Sequence, residues 1–144
     1  MIVVNHSDAA SEVAAITLSV ARANSWLVEW QNSKFDKPLQ SETWLRWLII
    51  HADGRQETLA GNTGLSRFSK SGFVSVDCFT PLNTGMKQSL DAAQKIIDAH
   101  EGKRTASGVW FRNVRITDQG QGRGGDSAWW QTVIVADFTY DNFN

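Results

Sequence analysis

The stretch Asp118-Gln119-Gly120-Gln121-Gly122-Arg123-Gly124-Gly125-Asp126-Ser127 is where this chain comes closest to a chemical motif. Glycine clusters hold phosphate when a strand runs into the glycine turn and the turn runs into a helix whose first amides face the anion. Residues 118–127 instead join two segments of β character, no lysine stands in the Walker position, and the helix that G-x-G-x-x-G needs is missing. The segment therefore reads as a mobile, polar hairpin loop. Arg123 at its middle is able to meet a phosphate, but one arginine does not make a phosphate site.

The other reactive side chains are as sparse. His6, His51 and His100 form neither H-E-x-x-H nor H-x-H, and no G-x-S-x-G segment accompanies them. Each has a structural place: His6 ahead of a helix cap, His51 at the close of a strand, His100 in a last helical turn where a cation suits the dipole. Asp91, Asp98 and Glu101 interleave with Lys87, Lys95 and Lys103 on one predicted helix, which is the pattern of a solvated face. Cys78 is the single cysteine, so neither an intrachain disulfide nor a multi-thiol zinc site is available, and its apolar surroundings predict a buried strand residue. No catalytic residue, metal ligand or cofactor site is assigned, and the chain reads as non-enzymatic.

A chain of 144 residues with 42% hydrophobic and 20% charged residues has the composition of one globular domain with its own core. Its formal net charge of −1 gives no bulk attraction to nucleic acid or to an anionic membrane, although a local basic patch is compatible with it. The first residues lack the basic region and apolar stretch of a signal peptide, and no apolar run is long enough to span a bilayer. A soluble product made in a cytoplasm is expected. Seven tryptophans beside one tyrosine and two prolines are the compositional outlier. Indoles dominate cores and interfaces alike, so some are expected in subunit contacts, with core packing the alternative for each.

These residues must be positioned by two helices and a set of strands. Residues 8–23 predict a helix capped by Ser7 or Asp8, with Val13, Ile16 and Val20 as its apolar stripe. Residues 26–30 predict a short strand with Trp26, Val28 and Trp30 on one side, followed by a polar loop through Pro38. Residues 43–50 carry apolar side chains on both faces, as a central strand or an interface strand does, and the Ala52-Asp53-Gly54 signal predicts a turn. A short strand around 57–59 and a connection through Gly61 and Gly64 lead to a strand over 72–80. A second helix over 84–100 is expected to bury Met86, Leu90, Ala93 and Ile97 and to stop at Gly102. Strands over 109–117 and 129–140 close the chain, the last placing Trp130, Ile134, Ala136, Phe138 and Tyr140 on one face. The order predicts a single α+β domain: a mixed, mostly antiparallel sheet packed by two helices.

Three stretches in this order resemble the tail-terminator (tail-completion, minor tail protein U-like) families of long-tailed phages. Val28-Glu29-Trp30-Gln31-Asn32-Ser33-Lys34-Phe35-Asp36-Lys37-Pro38 resembles the family's short strand followed by Asn, an aromatic and Pro. The run from Gly72 through Phe79-Thr80-Pro81-Leu82-Asn83-Thr84-Gly85 is similar to its hydrophobic strand and F-x-P-x-x-x-G lead-in to the second helix. The run from Trp129 to Asp141 is similar to its closing W-x-Q-x-x-V-x-V-x-F-x-Y-D strand. Trp44, Trp47 and Trp110 depart from the pattern, as does the glycine loop.

The resemblance implies a hexameric ring that caps the tail tube, ends its polymerisation and offers a surface for the head–tail connector. DNA would pass through its lumen without sequence-specific binding. The partners implied are further copies of the chain, the major tail tube protein and the connector, with no membrane. The setting is the head-proximal end of the virion tail. Unlike lateral faces that close into a ring require no catalytic centre. Trp44, Trp47, Arg123 and Trp129 are the candidate interface residues, with core burial the favoured alternative for Trp44 and Trp47. A different neck or head–tail joining protein is the alternative within the same setting. A small ligand-binding domain with the glycine loop as lid is the alternative outside it.

Overall fold

The computed structural model describes residues 5–57 and 67–143. Its first element, α1 (His6–Asn24), begins two residues earlier than predicted because Asn5 is the cap: its Oδ1 accepts the Asp8 N–H at 2.8 Å. Ser25 stops the helix in the left-handed conformation at φ 59, and the next residue's N–H turns back to Ala21 O at 2.8 Å. The buried line is Ala9, Val13, Thr17 and Ala21, so Ile16 and Val20 flank the contact half-buried instead of centring it.

Five strands follow: β1 (Leu27–Glu29), β2 (Trp44–Gln56), β3 (Arg67–Pro81), β4 (Trp110–Gln121) and β5 (Trp129–Phe143). They form one sheet in the order β1-β2-β3-β5-β4. The short β1 runs parallel to β2, and every other pairing is antiparallel. The second helix, α2 (Met86–His100), joins α1 on one face of this sheet, giving the α+β architecture expected. The core between the layers is built from Leu45, Trp47 and Ile49 on β2, Val74, Val76 and Cys78 on β3, and Ile134, Ala136, Phe138 and Tyr140 on β5. Gly72 lies at the end of this core, where a Cβ would stand 2.1 Å from Ile50 O and 2.9 Å from Phe138 Cζ. Nothing but glycine lets β2 and β3 approach there.

Several boundaries differ from the sequence reading, each for a physical reason. No turn forms at Ala52-Asp53-Gly54: the strand bulges between His51 and Asp53 and pairs with β3 as far as Gln56. The Asp53 carboxylate accepts the Gly54 N–H at 2.9 Å, so the turn-forming residues serve a bulge. The strand expected around 57–59 falls largely outside the described residues, as do Gly61 and Gly64; Glu57 donates its N–H to Arg67 O at 2.7 Å.

The ten-residue glycine loop is a second correction. Strand β4 continues to Gln121, and the link to β5 is residues 122–128, with a 3-10 turn at Gly124–Asp126. Asp118, Gln119 and Gln121 are polar because β4 is an edge strand in contact with solvent, not because the chain has left the sheet.

The third correction concerns α2. It buries Ser89, Ala92, Ala93, Ile96 and His100, so Ala93 is buried as predicted and Ile97 packs half-buried against the core, while Met86 and Leu90 are exposed. Small side chains let the helix lie close to the sheet, and that geometry outweighs the transfer energy of the larger ones. Gly85 (φ 84) precedes the helix and Gly102 (φ 71) follows it, as the chain's stop requires.

Candidate interaction surface

The face of the sheet opposite the helices is the unusual surface of this molecule. An antiparallel sheet with one face in water alternates apolar-in with polar-out. Here the outward positions of the central strands carry Leu48 and Ile50 on β2, Phe73 on β3, and Val133 and Val135 on β5, interspersed with Arg46, Ser75, Asp77, Gln131 and Asp137. Register places Leu48 two strands from Val135 across Ser75, and Ile50 directly beside Phe73. Leu48 is 37% and Ile50 39% exposed, and Phe73, Val133 and Val135 are half-buried. On β4 the same face holds Trp110, 43% exposed, with the Arg112 guanidinium 4.9 Å from its ring centroid.

One end of this face is covered by the chain itself. Because β1 and β2 are parallel, the connection between them must return along the sheet, and it does so across the open face. Phe35 stacks on Trp44, Trp44 stacks on Phe79 with ring centroids 4.0 Å apart, and Trp129 meets Trp44 edge-on at 5.6 Å. The Trp129 indole donates to Glu42 O at 3.0 Å, which ties the returning loop to β5. This aromatic cluster is separate from the main core.

Arg46 joins the pieces. Its Nε donates to Glu29 Oε1 and its Nη2 to Asp126 Oδ2, both at 3.0 Å, while its guanidinium lies over the rings of Trp44 and Phe79. Lys37 Nζ completes the group at 2.7 Å from Asp126 Oδ1. Burial pulls the Arg46 pKa down, but the hydrogen bonds from Asp126 and Glu29 outweigh it and the pKa ends above its ordinary value. Burial alone would raise the Asp126 pKa, and the bonds from Lys37 and Arg46 bring it below the usual carboxylate range. Asp77, facing Arg46, moves upward because its burial exceeds the help from Ser75, Arg46 and Gln131. Beside these groups lies a cleft of about 560 Å³, lined by Trp30, Gln31, Arg46, Leu48 and Asp77 among others.

Both edges of the sheet are blunted. Strand β1 covers only Trp44–Arg46, and Gln31 Oε1 then accepts the Ile49 N–H at 3.0 Å in place of a further strand residue. At the other edge Arg104 bridges Trp110, and the Phe111 N–H reaches Lys103 O. Register shifts between Arg112 and Arg115 and between Ile116 and Asp118 then break the line of β4. Bulges and side-chain caps of this kind discourage edge-to-edge pairing.

The structure separates the four candidate interface residues. Trp44, Trp47 and Trp129 are buried, at 0%, 6% and 4% exposure: Trp44 and Trp129 in the aromatic cluster on the open face, Trp47 in the core between sheet and helices. Arg123 is exposed, next to the 3-10 turn. The residues that sequence reasoning missed are Arg46 and Asp126, whose pairing depends on folding, and the set Leu48, Ile50, Phe73, Val133 and Val135. The signal for that set was present, since 44–50 and 129–140 carry apolar side chains on both faces.

No reactive constellation is assembled among the described residues. His100 is buried, and burial pushes its pKa down, so it is a neutral core residue and not the helix-end cation expected. His6 and His51 meet edge-on at 4.6 Å. The Cys78 thiol is pushed up to about 12 by burial and then by Asp77, leaving it unreactive. Among the described residues no group of three or more His, Cys, Asp or Glu is placed to hold a metal ion, and no helix is long and apolar enough to cross a membrane.

The geometry defines a small α+β protein with apolar side chains on the open face of its sheet. The profile of the phage tail terminator protein family matches residues 8–138, and the chain belongs to that family. No curated protein matches it significantly. A solved structure 20% identical aligns over 91% of this chain and 90% of its own with a TM-score of 0.61, which establishes a shared fold. The protein is thus a structural component of the phage tail that interacts with other tail components.

Proposed function

We propose that the chain caps the head-proximal end of the tail tube as a homo-hexameric ring. The ring ends tube polymerisation, presents a surface to the head–tail connector, and leaves a lumen through which DNA passes without sequence-specific contact. Family membership over residues 8–138 carries this reading. Two unlike broad sides support it physically: one is closed by helices and the other is an open apolar sheet, as heterologous ring contacts need. The subunit acts without catalysis and is assembled in the host cytoplasm. Arg123, exposed on the link between β4 and β5, is a candidate contact to the tube or connector.

The test is to add purified chain to polymerising tail tubes and follow tube length and end density by negative-stain microscopy. The expected result is ring-shaped density at one tube end only, with growth arrested there. Tubes that grow unchanged with bare ends count against capping. Density at the portal instead of the tube end assigns the chain to another joint of the neck.

A further inference from the structure

We propose that in the assembled ring the open sheet face of one copy is covered by the outward side of α1 from the next copy. This rests on the ring reading above and names the surfaces that form it.

The sheet face offers an apolar contact, because Leu48, Ile50 and Phe73 form adjacent outward positions of an antiparallel pair. A DNA-lined lumen suits polar or charged groups, and these positions are aliphatic and aromatic. Extension of the sheet by a neighbour's strand is opposed at both edges by the Gln31 cap, the Arg104 bridge and the β4 bulges. The neighbour therefore comes face-on and supplies a third layer.

The outward side of α1 is fitted to be that layer. A surface helix ordinarily carries charges on its solvent side. Here the exposed line is Ser7, Ser11, Ala15 and Ser19. Between Asp8 and Arg22 the only charged residue is Glu12, and its carboxylate already accepts from Thr105 and Ser107. Small uncharged side chains permit a close helix-on-sheet approach.

The charge at the start of α1 matches the sheet face when the ring axis runs along the strands. Such an axis keeps every copy's ends at the same level. The helix starts beside His51 and ends beside Trp26, so Asp8 lies at the level of the β2 bulge and Arg22 at the level of β1. On the sheet face Arg112 occupies the first level, in the row of Ile50, Phe73 and Asp137. The second level, where Arg46 holds Glu29 and faces Asp77, is already internally paired. Asp8 thus meets Arg112 of the neighbouring copy.

A photo-crosslinking residue in place of Leu48, illuminated on tube-capping assemblies, tests this directly. Crosslinks are expected to residues 7–22 of another copy. Crosslinks to the tube protein, or rings that form with none to α1, overturn the proposal and leave the ring standing; failure to form rings at all overturns both. Independently, Ala15→Glu and Ser11→Arg alter exposed positions and should leave the circular dichroism of the free chain unchanged while weakening assembly by about tenfold or more. Asp8→Arg and Arg112→Asp should each weaken assembly, and the double variant should recover it. Assembly indifferent to all four overturns the proposal.

Discussion

Arg46 Nη2 donates to Asp126 Oδ2 at 3.0 Å, across 80 residues of sequence, and thereby fixes the glycine-rich link onto the sheet. Without that bond the 3-10 turn at Gly124–Asp126 has no anchor to β2, since no residue within it is buried. Asp126 in turn holds Lys37, so the link and the returning β1–β2 connection are tied to one guanidinium. Charges this far out of water are worth having only while both partners are present. Arg46→Met keeps the apolar stem over Trp44 and Phe79 but leaves Asp126 with Lys37 alone. It is expected to cost about 2 kcal/mol, and the Arg46/Asp126 double-mutant cycle to give a coupling of about 1–2 kcal/mol. Urea denaturation of the four proteins measures both, and a coupling near zero refutes the anchor.

Trp129 performs two separable tasks, filling the aromatic cluster and donating to Glu42 O. Trp129→Phe preserves most of the packing and removes the donor, so the expected global loss is about 1–2 kcal/mol. The local effect is larger: the connection over 30–43 loses its tie to β5. Limited trypsin digestion should then cut after Lys34 several-fold faster than in the unaltered chain. Equal cleavage rates rule out this role for the indole.

Much of this arrangement was legible in the order of residues, and what was not has a common cause. The helix stops at Asn24 and His100 and the alternation along 129–140 are local effects, set by backbone conformation and side-chain period, and sequence carries them directly. The polar stretch 118–121 misled because an edge strand and a loop are equally wet, and only the sheet order distinguishes them. The α2 stripe misled because Met86 and Leu90 are larger than Ser89 and Ala92, whereas closeness to the sheet decided the contact. Arg46 was invisible as a hub because both of its carboxylate partners are remote in the chain. The open apolar face was visible only as an ambiguity, a strand with apolar residues on both sides, which the fold resolves as one face covered and one not.

Gly72 leaves no room for a side chain. An added methyl would stand 2.1 Å from the Ile50 carbonyl oxygen and 2.9 Å from the Phe138 ring, so either β2 and β3 part or the ring moves. Gly72→Ala is expected to cost about 3 kcal/mol or more, at the upper end for overpacking. Gly120→Ala, with open space around its Cβ position, serves as control and is expected to shift stability by under about 0.5 kcal/mol. Comparable unfolding midpoints for the two variants would falsify the close approach at Gly72.

Protonation of His100 and His51 contributes to the acid limb of stability. His100 Nδ1 lies 2.8 Å from Ile96 O, a hydrogen bond only when Nδ1 carries the proton, and Nε2 is buried without a partner among the described residues. Burial lowers the folded-state pKa below the ordinary histidine value, and His51 is lowered too, first by burial and then by His6. The unfolded chain therefore takes up protons before the folded one does. Stability from these groups is full above about pH 6.5 and is lost progressively as pH falls toward the lower folded values. The melting temperature should accordingly drop by a few degrees, about 3–6, between pH 7.5 and pH 5.5. His100→Phe keeps an aromatic ring against Phe111, whose centroid is 5.1 Å away, and removes the titrating group. Its melting curve should start lower but slope less over the same interval. A slope identical to the unaltered chain's would move the effect to His51 and its contact with His6 at the start of α1.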